Sequence, residues 1–146
     1  MAKAWTLNSR PMGMPTQDNF ALVELAPAPL EPGQLRIANH WLSVDPYMRG
    51  RMNDVKSYTP PFALGEPMQG GAVGEVIEST ADGFAAGDLV LHMAGWRDEA
   101  VIPAGQAQRL PALGVDPQAF LGQLGMPGMT AYFGLHEVCK PQPGDV

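Results

Sequence analysis

Tyr47 is the side chain best suited to chemistry in residues 43–52, which read Ser-Val-Asp-Pro-Tyr-Met-Arg-Gly-Arg-Met. A phenol can hydrogen-bond a carbonyl, and the neighbouring Met48 and Met52 fit irregular apolar ligands. These residue types predict a ligand-facing segment at the mouth of a barrel. The alternative is a structural strand exit, in which Asp45 bonds the backbone of a short helix and Tyr47 packs in the core. Spacing alone favours this structural alternative.

Histidine and cysteine are too scattered in this chain to predict a metal site. His40, His92 and His136 lie on three different predicted elements, and Cys139 is the single cysteine. Tetrahedral zinc sites use several such ligands at short, regular spacings. We therefore expect no metal, a structural His40 and a core position for His136. One cysteine also excludes a disulfide framework, which indicates a reducing compartment.

Short strands must position most of these residues, because Gly and Pro interrupt the chain every eight to fifteen residues. The predicted strands are residues 20–25, 34–44, 71–79, 89–93 and 99–102. Such spacing predicts a β-rich barrel or sandwich. The alternation of the second strand slips near Asn39, which predicts either a β-bulge or burial on both faces. Gly74 predicts the close approach of a neighbouring backbone.

The pattern becomes helical after residue 115. Asp116 and Pro117 fit the start of a helix, and residues 118–124 can supply about two turns. Residues 128–139 form a stronger helix that is apolar nearly all round, so we expect it to be buried on most sides. The chain offers little to cover it, and the single strand-like residue Val146 follows. We therefore expect a truncated piece of a longer protein.

Composition narrows the function classes. The 146 residues fit one modest domain, and 9 basic against 15 acidic side chains give a net charge of -6. An acidic surface repels phosphate chains, so nucleic acid is not an expected partner. The longest apolar run, residues 20–23, is too short to cross a membrane, and the N-terminus lacks the apolar core of a secretory signal. We expect a cytoplasmic protein with no membrane partner.

Three separated segments resemble the zinc-independent medium-chain reductases, within which the NADPH-dependent curcumin, prostaglandin (leukotriene) and alkenal double-bond reductases are most similar. The segments are residues 45–52, 57–61 and 125–135. The resemblance implies a mainly β fold, a GroES-like, partly open β-barrel with a few short helices, truncated before a Rossmann domain. Residues 1–125 would be the substrate domain. Residues 126–146 would be a linker helix and the start of the missing dinucleotide-binding domain.

The activity implied by the resemblance is NADPH-dependent reduction of the C=C bond of α,β-unsaturated ketones and aldehydes by hydride transfer. Enones, enals and quinones would be the small-molecule substrates, and no metal would be needed. NADPH would be bound mainly by the missing C-terminal half, so we expect this fragment to be inactive alone. Relatives commonly pair through that half, which implies a full-length homodimer and leaves the fragment free to be a monomer.

The same resemblance implies roles for particular residues. The implied substrate-facing residues are Tyr47, Tyr58, His92, Met93 and Trp96, and the implied cofactor-facing residues are Met126 and Thr130. No catalytic residue is assigned with certainty, although Tyr47 or Tyr58 could donate a hydrogen bond to a developing enolate. Structural alternatives remain open for these residues. Tyr58 would then be an exposed loop aromatic, Trp96 a packed strand end, and Met126 and Thr130 a helix cap with core packing.

Two other function classes compete with the reductase. A GroES-like barrel that only binds a partner or an apolar ligand fits a chain that lacks a cofactor site of its own. A zinc alcohol dehydrogenase is the weaker alternative. Its members carry a Cys soon after the position of Val44 and a Gly-His-Glu motif, where this chain has Gly65, Glu66 and Pro67.

Overall fold

The computed structural model describes residues 1–145, which are built mainly of β-strands. In chain order the strands are β1 (Lys3–Leu7), β2 (Phe20–Glu24), β3 (Gln34–Leu42), β4 (Ala72–Ser79), β5 (Leu89–His92), β6 (Glu99–Pro103) and β7 (Gln108–Arg109). The helices are α1 (Tyr47–Arg51) and α2 (Met126–Phe133), which continues as a π-helical segment, Gly134–Cys139. Short 3-10 turns form at Gln17–Asn19, Ala104–Gln106 and Pro117–Leu121. The five predicted strands are confirmed to within two residues at each end.

The strands form two antiparallel sheets. β1 pairs with β2, and a five-stranded sheet has the order β6-β3-β4-β5-β7. Within residues 1–145 both sheets are open, so the mainly β prediction is confirmed without a closed barrel. α1 follows β3 directly, and α2 lies beyond the last strand. No helix in this part of the chain is long and apolar enough to cross a bilayer.

The main core lies on one face of the five-stranded sheet. Its fully buried members alternate along the strands and are Leu35, Ile37, Val76, Val90, Ala100 and Ile102. Alternate residues of a strand point to the same face, so an apolar alternation buries one side of the sheet. These side chains hold β3, β4, β5 and β6 together and fix the strand ends from which α1 and the loops of the site extend.

A β-bulge explains the broken alternation of β3. The register with β4 shifts between Asn39 and Trp41, and Trp41 and Leu42 stay partly exposed beyond it. Of the two predicted explanations, the bulge is confirmed and burial on both faces is wrong. Gly74 of β4 pairs with Asn39, and a Cβ there would lie 2.4 Å from the Ala38 carbonyl oxygen. The predicted close approach at Gly74 is therefore confirmed.

A second apolar cluster holds α1 against the two-stranded sheet. Its buried members are Leu7, Met48, Met52, Phe62 and Met68, with Tyr47 and Trp96 partly buried against them. Two methionines of the predicted ligand-facing segment therefore pack in a core. Unbranched, polarizable side chains fill such irregular spaces well. Because this cluster is buried, α1 is anchored at the end of β3.

The C-terminal helices differ most from the prediction. Asp116 does precede a helical turn, but the turn is a short 3-10 helix, Pro117–Leu121. α2 begins two residues before the predicted start and becomes π-helical at Gly134, and neither part has a buried residue. The prediction of burial on most sides is wrong, because nothing among residues 1–145 covers this apolar surface. His136 is exposed beside Tyr132, so its predicted core position is wrong too. Val146 lies outside the described residues.

Candidate active site

An apolar cleft of about 530 Å³ lies between α1, β5 and the start of α2. The sequence-predicted residues that line it are Tyr47, Tyr58, His92, Met93 and Met126. They come from elements far apart in the chain, so the fold brings them together. Trp96 and Thr130 do not line this cleft.

Tyr47 is the first residue of α1 and is half-buried against the second apolar cluster. Its hydroxyl oxygen is enclosed but has no hydrogen-bond partner among residues 1–145. Buried polar atoms nearly always have a partner, so an unpartnered donor beside a cleft is a candidate to bind an ordered water or a ligand atom. Burial, and then the Asp45 carboxylate, raises the pKa of Tyr47 above its ordinary value of 10.0, while Arg51 opposes the shift. Tyr47 is therefore a protonated hydrogen-bond donor at neutral pH.

The segment before α1 sets the position of Tyr47. The Asp45 carboxylate accepts a hydrogen bond from the Ser43 hydroxyl at 2.5 Å, so the Asp45 side chain does not cap the helix. The Asp45 carbonyl instead accepts from the Met48 N–H at 3.0 Å. Met48 packs over Gly70, where a Cβ would lie 2.4 Å from the Met48 Cε. Gly70 thus leaves room for the side chain that anchors α1.

His92 forms part of the cleft wall and is only 3% exposed. Its Nδ1 accepts a hydrogen bond from the Ala94 N–H at 3.1 Å, so Nε2 carries the proton and donates to the Asn39 Oδ1 at 2.9 Å. Burial, and then the charge of Arg97, lowers the pKa of His92 from 6.5 to about 4. A neutral imidazole with both nitrogens engaged positions the wall and has no proton to give a ligand.

Asn39 supports the cleft wall through His92, and the sequence did not single it out for function. Its amide nitrogen donates to the carbonyl oxygens of Ala94 and Arg97, and its Oδ1 accepts from His92. The side chain therefore connects the bulge in β3 to β5 and the loop that follows. The only sequence signal at Asn39 was the break in alternation.

We predict that His92 makes the protein less stable as the pH falls from 6.5 to 4. The folded-state pKa of about 4 lies below the ordinary value of 6.5, so in this window the unfolded chain binds a proton that the folded protein excludes. The free energy of unfolding falls by about 3 kcal/mol over this window, and the loss is complete below pH 4.

Chemical denaturation of the protein and its His92→Gln variant at several pH values measures this effect. Because carboxylates also titrate below pH 5, the relevant quantity is the difference in unfolding free energy between the two proteins. We expect that difference to shrink by about 3 kcal/mol between pH 7 and pH 4. A difference that does not change with pH would contradict the prediction.

The remaining predicted residues occupy distinct places. Tyr58 is 88% exposed at the cleft edge, and Met93 is half-exposed on the wall. Trp96 adopts a left-handed φ of 59° and packs against the α1 cluster, with its Nε1 enclosed and unpartnered. It lines a separate cavity of about 230 Å³ with Trp5 and Trp41. Trp96 therefore does not line the cleft that the four other substrate-facing residues implied by the resemblance share.

The N-terminal end of α2 forms one edge of the cleft. Met126 and Pro127 line it with apolar atoms, whereas Thr130 is exposed one turn later and outside the cleft. Within residues 1–145, no three His, Cys, Asp or Glu side chains cluster as metal ligands do. The absence of a metal stays a prediction.

Comparison with known proteins identifies the chain's family. Residues 3–110 match a family model described as the N-terminal domain of oxidoreductase. The chain is 42% identical to the NADPH-dependent curcumin reductase of Escherichia coli (strain K12), covering 98% of this chain and 41% of that protein. It is 44% identical to a 2-alkenal reductase (NADP(+)-dependent) of Nicotiana tabacum, over 75% of this chain and 32% of that protein.

A solved structure extends the likeness to the fold. The crystal structure of CurA in complex with NADPH from Vibrio vulnificus superimposes with a TM-score of 0.90 at 41% identity. The likeness covers 98% of this chain and 42% of that one, so the chain spans about two fifths of the length of these relatives. The predicted resemblance to the curcumin and alkenal reductases is confirmed, and the chain belongs to the family of N-terminal oxidoreductase domains.

Proposed function

We propose that the full-length protein is an NADPH-dependent reductase of the C=C bond in α,β-unsaturated ketones and aldehydes. Residues 1–125 would form its substrate domain, and residues 126–146 would lead into a dinucleotide-binding domain. The observation that carries the proposal is the enclosed, unpartnered Tyr47 hydroxyl beside an apolar cleft of about 530 Å³. The names of the relatives, a curcumin reductase and a 2-alkenal reductase, support the same substrate class.

The cleft suits conjugate reduction because it combines mostly apolar walls with the unpartnered Tyr47 hydroxyl as a donor. NADPH would supply a hydride to the β-carbon of the substrate, and negative charge would develop on the carbonyl oxygen. The resulting enolate would then take a proton at its α-carbon to give the saturated carbonyl compound. The Tyr47 hydroxyl would donate a hydrogen bond to the carbonyl oxygen, where a preorganised donor stabilises the transition state most. Its raised pKa favours keeping the proton, so Tyr47 is assigned hydrogen bonding rather than proton transfer to carbon. The neutral wall at His92 adds no competing charge.

The residues at the start of α2 fit the reactive end of the cofactor better than its phosphates. Met126 and Pro127 offer apolar atoms at the cleft edge, against which a flat ring could pack. Thr130 lies outside the cleft, and its implied cofactor contact requires the ligand to extend along α2. Tyr58 and Met93 would contact the substrate from the outer edge of the cleft.

The proposal extends to the setting of the reaction. Where the zinc alcohol dehydrogenases carry Gly-His-Glu, this chain has Gly65, Glu66 and Pro67, which supports reduction without a catalytic metal. We also propose that the full-length protein is a homodimer and that it is located in the cytoplasm. These two proposals rest on the family resemblance and on a sequence without a long apolar run.

NADPH oxidation by the full-length protein tests the proposed function. We expect enals and enones to be reduced, with quinones as a further class, and the saturated carbonyl compound to be the product. Residues 1–146 alone should show no turnover, because the groups that bind most of NADPH lie elsewhere in such enzymes. A full-length protein that reduces the C=O bond, or leaves every conjugated carbonyl compound unreacted, would contradict the proposal.

A further inference from the structure

Arg51 is a buried cation that no carboxylate neutralises. It is 8% exposed, and among residues 1–145 it is the only buried Lys or Arg. None of the ion pairs within 4 Å in this part of the chain includes Arg51. Its guanidinium stacks on the Phe62 ring, with Cζ 4.1 Å from the ring centroid. Burying an unpaired charge is unfavourable, so its retention beside a cleft calls for a functional reason.

The hydrogen bonds of Arg51 leave part of the guanidinium free. Nε donates to the Pro60 carbonyl oxygen and Nη2 donates to the Gln69 Oε1, both at 2.9 Å. These acceptors are neutral and engage only two of the five N–H donors of an arginine. Among residues 1–145, Nη1 has no protein acceptor, and it is not one of the enclosed unpartnered atoms. Arg51 also lines the cleft, so the residue borders the space that a ligand would occupy.

The position of Arg51 relates it to Tyr47. The two residues stand four apart on α1, and residues at this spacing lie on the same face of a helix. Both line the cleft. The other ionised side chain of the lining, Asp45, accepts a hydrogen bond from Ser43 and lies beyond ion-pair distance of Arg51. A ligand that reaches the Tyr47 hydroxyl is therefore within one helical turn of a guanidinium that has no carboxylate within 4 Å among residues 1–145.

We propose that Arg51 forms an anion subsite, so that the preferred substrates are α,β-unsaturated carbonyl compounds that carry a carboxylate. This inference rests on the proposed function and narrows its substrate class. A guanidinium with free N–H donors matches a carboxylate in both charge and geometry, and the bond is strengthened where water is excluded. Tyr47 would bind the carbonyl oxygen while Arg51 binds the anionic end.

A pair of substrates that differ only in charge tests the subsite in the full-length protein. The probes are 4-(3-oxobut-1-enyl)benzoate and its methyl ester, and the measured quantity is the ratio of their kcat/KM values. We expect wild type to prefer the carboxylate, and Arg51→Met to lower the ratio by about tenfold or more. Arg49→Met is the matched control, because Arg49 bonds Asn53 and the Gly13 carbonyl away from the cleft. An Arg51→Met ratio equal to that of wild type would overturn the subsite.

Equilibrium binding separates this inference from the proposed function. If the full-length protein reduces no conjugated carbonyl compound, the proposed function fails, and titration of 4-(3-oxobut-1-enyl)benzoate against its methyl ester, followed by NMR, then decides the subsite. Tighter binding of the carboxylate that weakens about tenfold in Arg51→Met would support the subsite, and equal binding of the two ligands would overturn it. Should Arg51→Met fail to fold, Arg51→Lys replaces it. The lysine keeps the positive charge, so we expect Arg51→Lys to retain a partial preference for the anionic ligand. If neither wild type nor Arg51→Lys prefers the anionic ligand, the subsite is overturned.

Discussion

Replacing Tyr47 with Phe is expected to lower kcat for enone reduction by the full-length protein about a hundredfold, the effect of losing one donor of an oxyanion hole. The hydroxyl is enclosed and has no hydrogen-bond partner to lose among residues 1–145. Removing it therefore deletes a buried group that is unsatisfied in the free protein, and the variant should be as stable as wild type or more so by about 1 kcal/mol. Steady-state kinetics and thermal unfolding on the same preparations measure both effects.

Tyr58→Phe is the matched comparison, because it removes the same atom from a ring that is 88% exposed at the edge of the same cleft. We expect a loss below about fivefold, since a hydrogen bond in contact with water is worth less than one in an enclosed site. If Tyr58→Phe loses more activity than Tyr47→Phe, the donor is Tyr58. A Tyr47→Phe variant that is inactive and also unstable would assign Tyr47 a structural role.

The strands of the sheet were predicted well because apolar and polar residues alternate along each of them, and this alternation is visible in the sequence. β3 and β4 lie where their apolar spacing put them, and Gly74 marks the close approach that its missing side chain allows. The bulge at Asn39 was one of two explanations, since exposure beyond the bulge depends on what packs there. The burial of α2 was predicted wrongly for the same reason. An apolar helix surface indicates that it needs a partner but does not supply one.

The site was predictable only where residue type is enough. Tyr47 could be identified from its residue type and the distinctive segment around it. Whether its hydroxyl finds a hydrogen-bond partner depends on which side chains the fold brings near it, and this cannot be predicted from the segment alone. Nothing in the sequence gave a reason to assign Arg51 a role, because its distance from carboxylates is a property of the fold. Trp96 was placed by resemblance beside the substrate residues, but its side chain turns towards the α1 cluster. Contacts between distant segments decide each of these cases.

Gly74→Ala is expected to destabilise the protein by about 3 kcal/mol, the upper part of the range for overpacking a buried site. The added Cβ would lie 2.4 Å from the Ala38 carbonyl oxygen and 2.6 Å from the Ile37 Cγ2. The first of these atoms belongs to the backbone of the neighbouring strand, so a change of rotamer cannot relieve the clash. β3 and β4 must separate at the centre of the five-stranded sheet. Chemical denaturation at neutral pH measures the loss.

Gly105→Ala is the control, because its added Cβ meets nothing within 4 Å and its backbone does not require glycine. We expect its stability to stay within about 0.5 kcal/mol of wild type, as for ordinary surface changes. Gly74 also pairs with Asn39, whose amide holds His92 in the cleft wall, so the strand separation should reach the site. A Gly74→Ala variant that still folds should therefore bind enones more weakly and raise KM. A variant as stable as Gly105→Ala would mean that β3 and β4 do not approach as closely as the Gly74 contact requires.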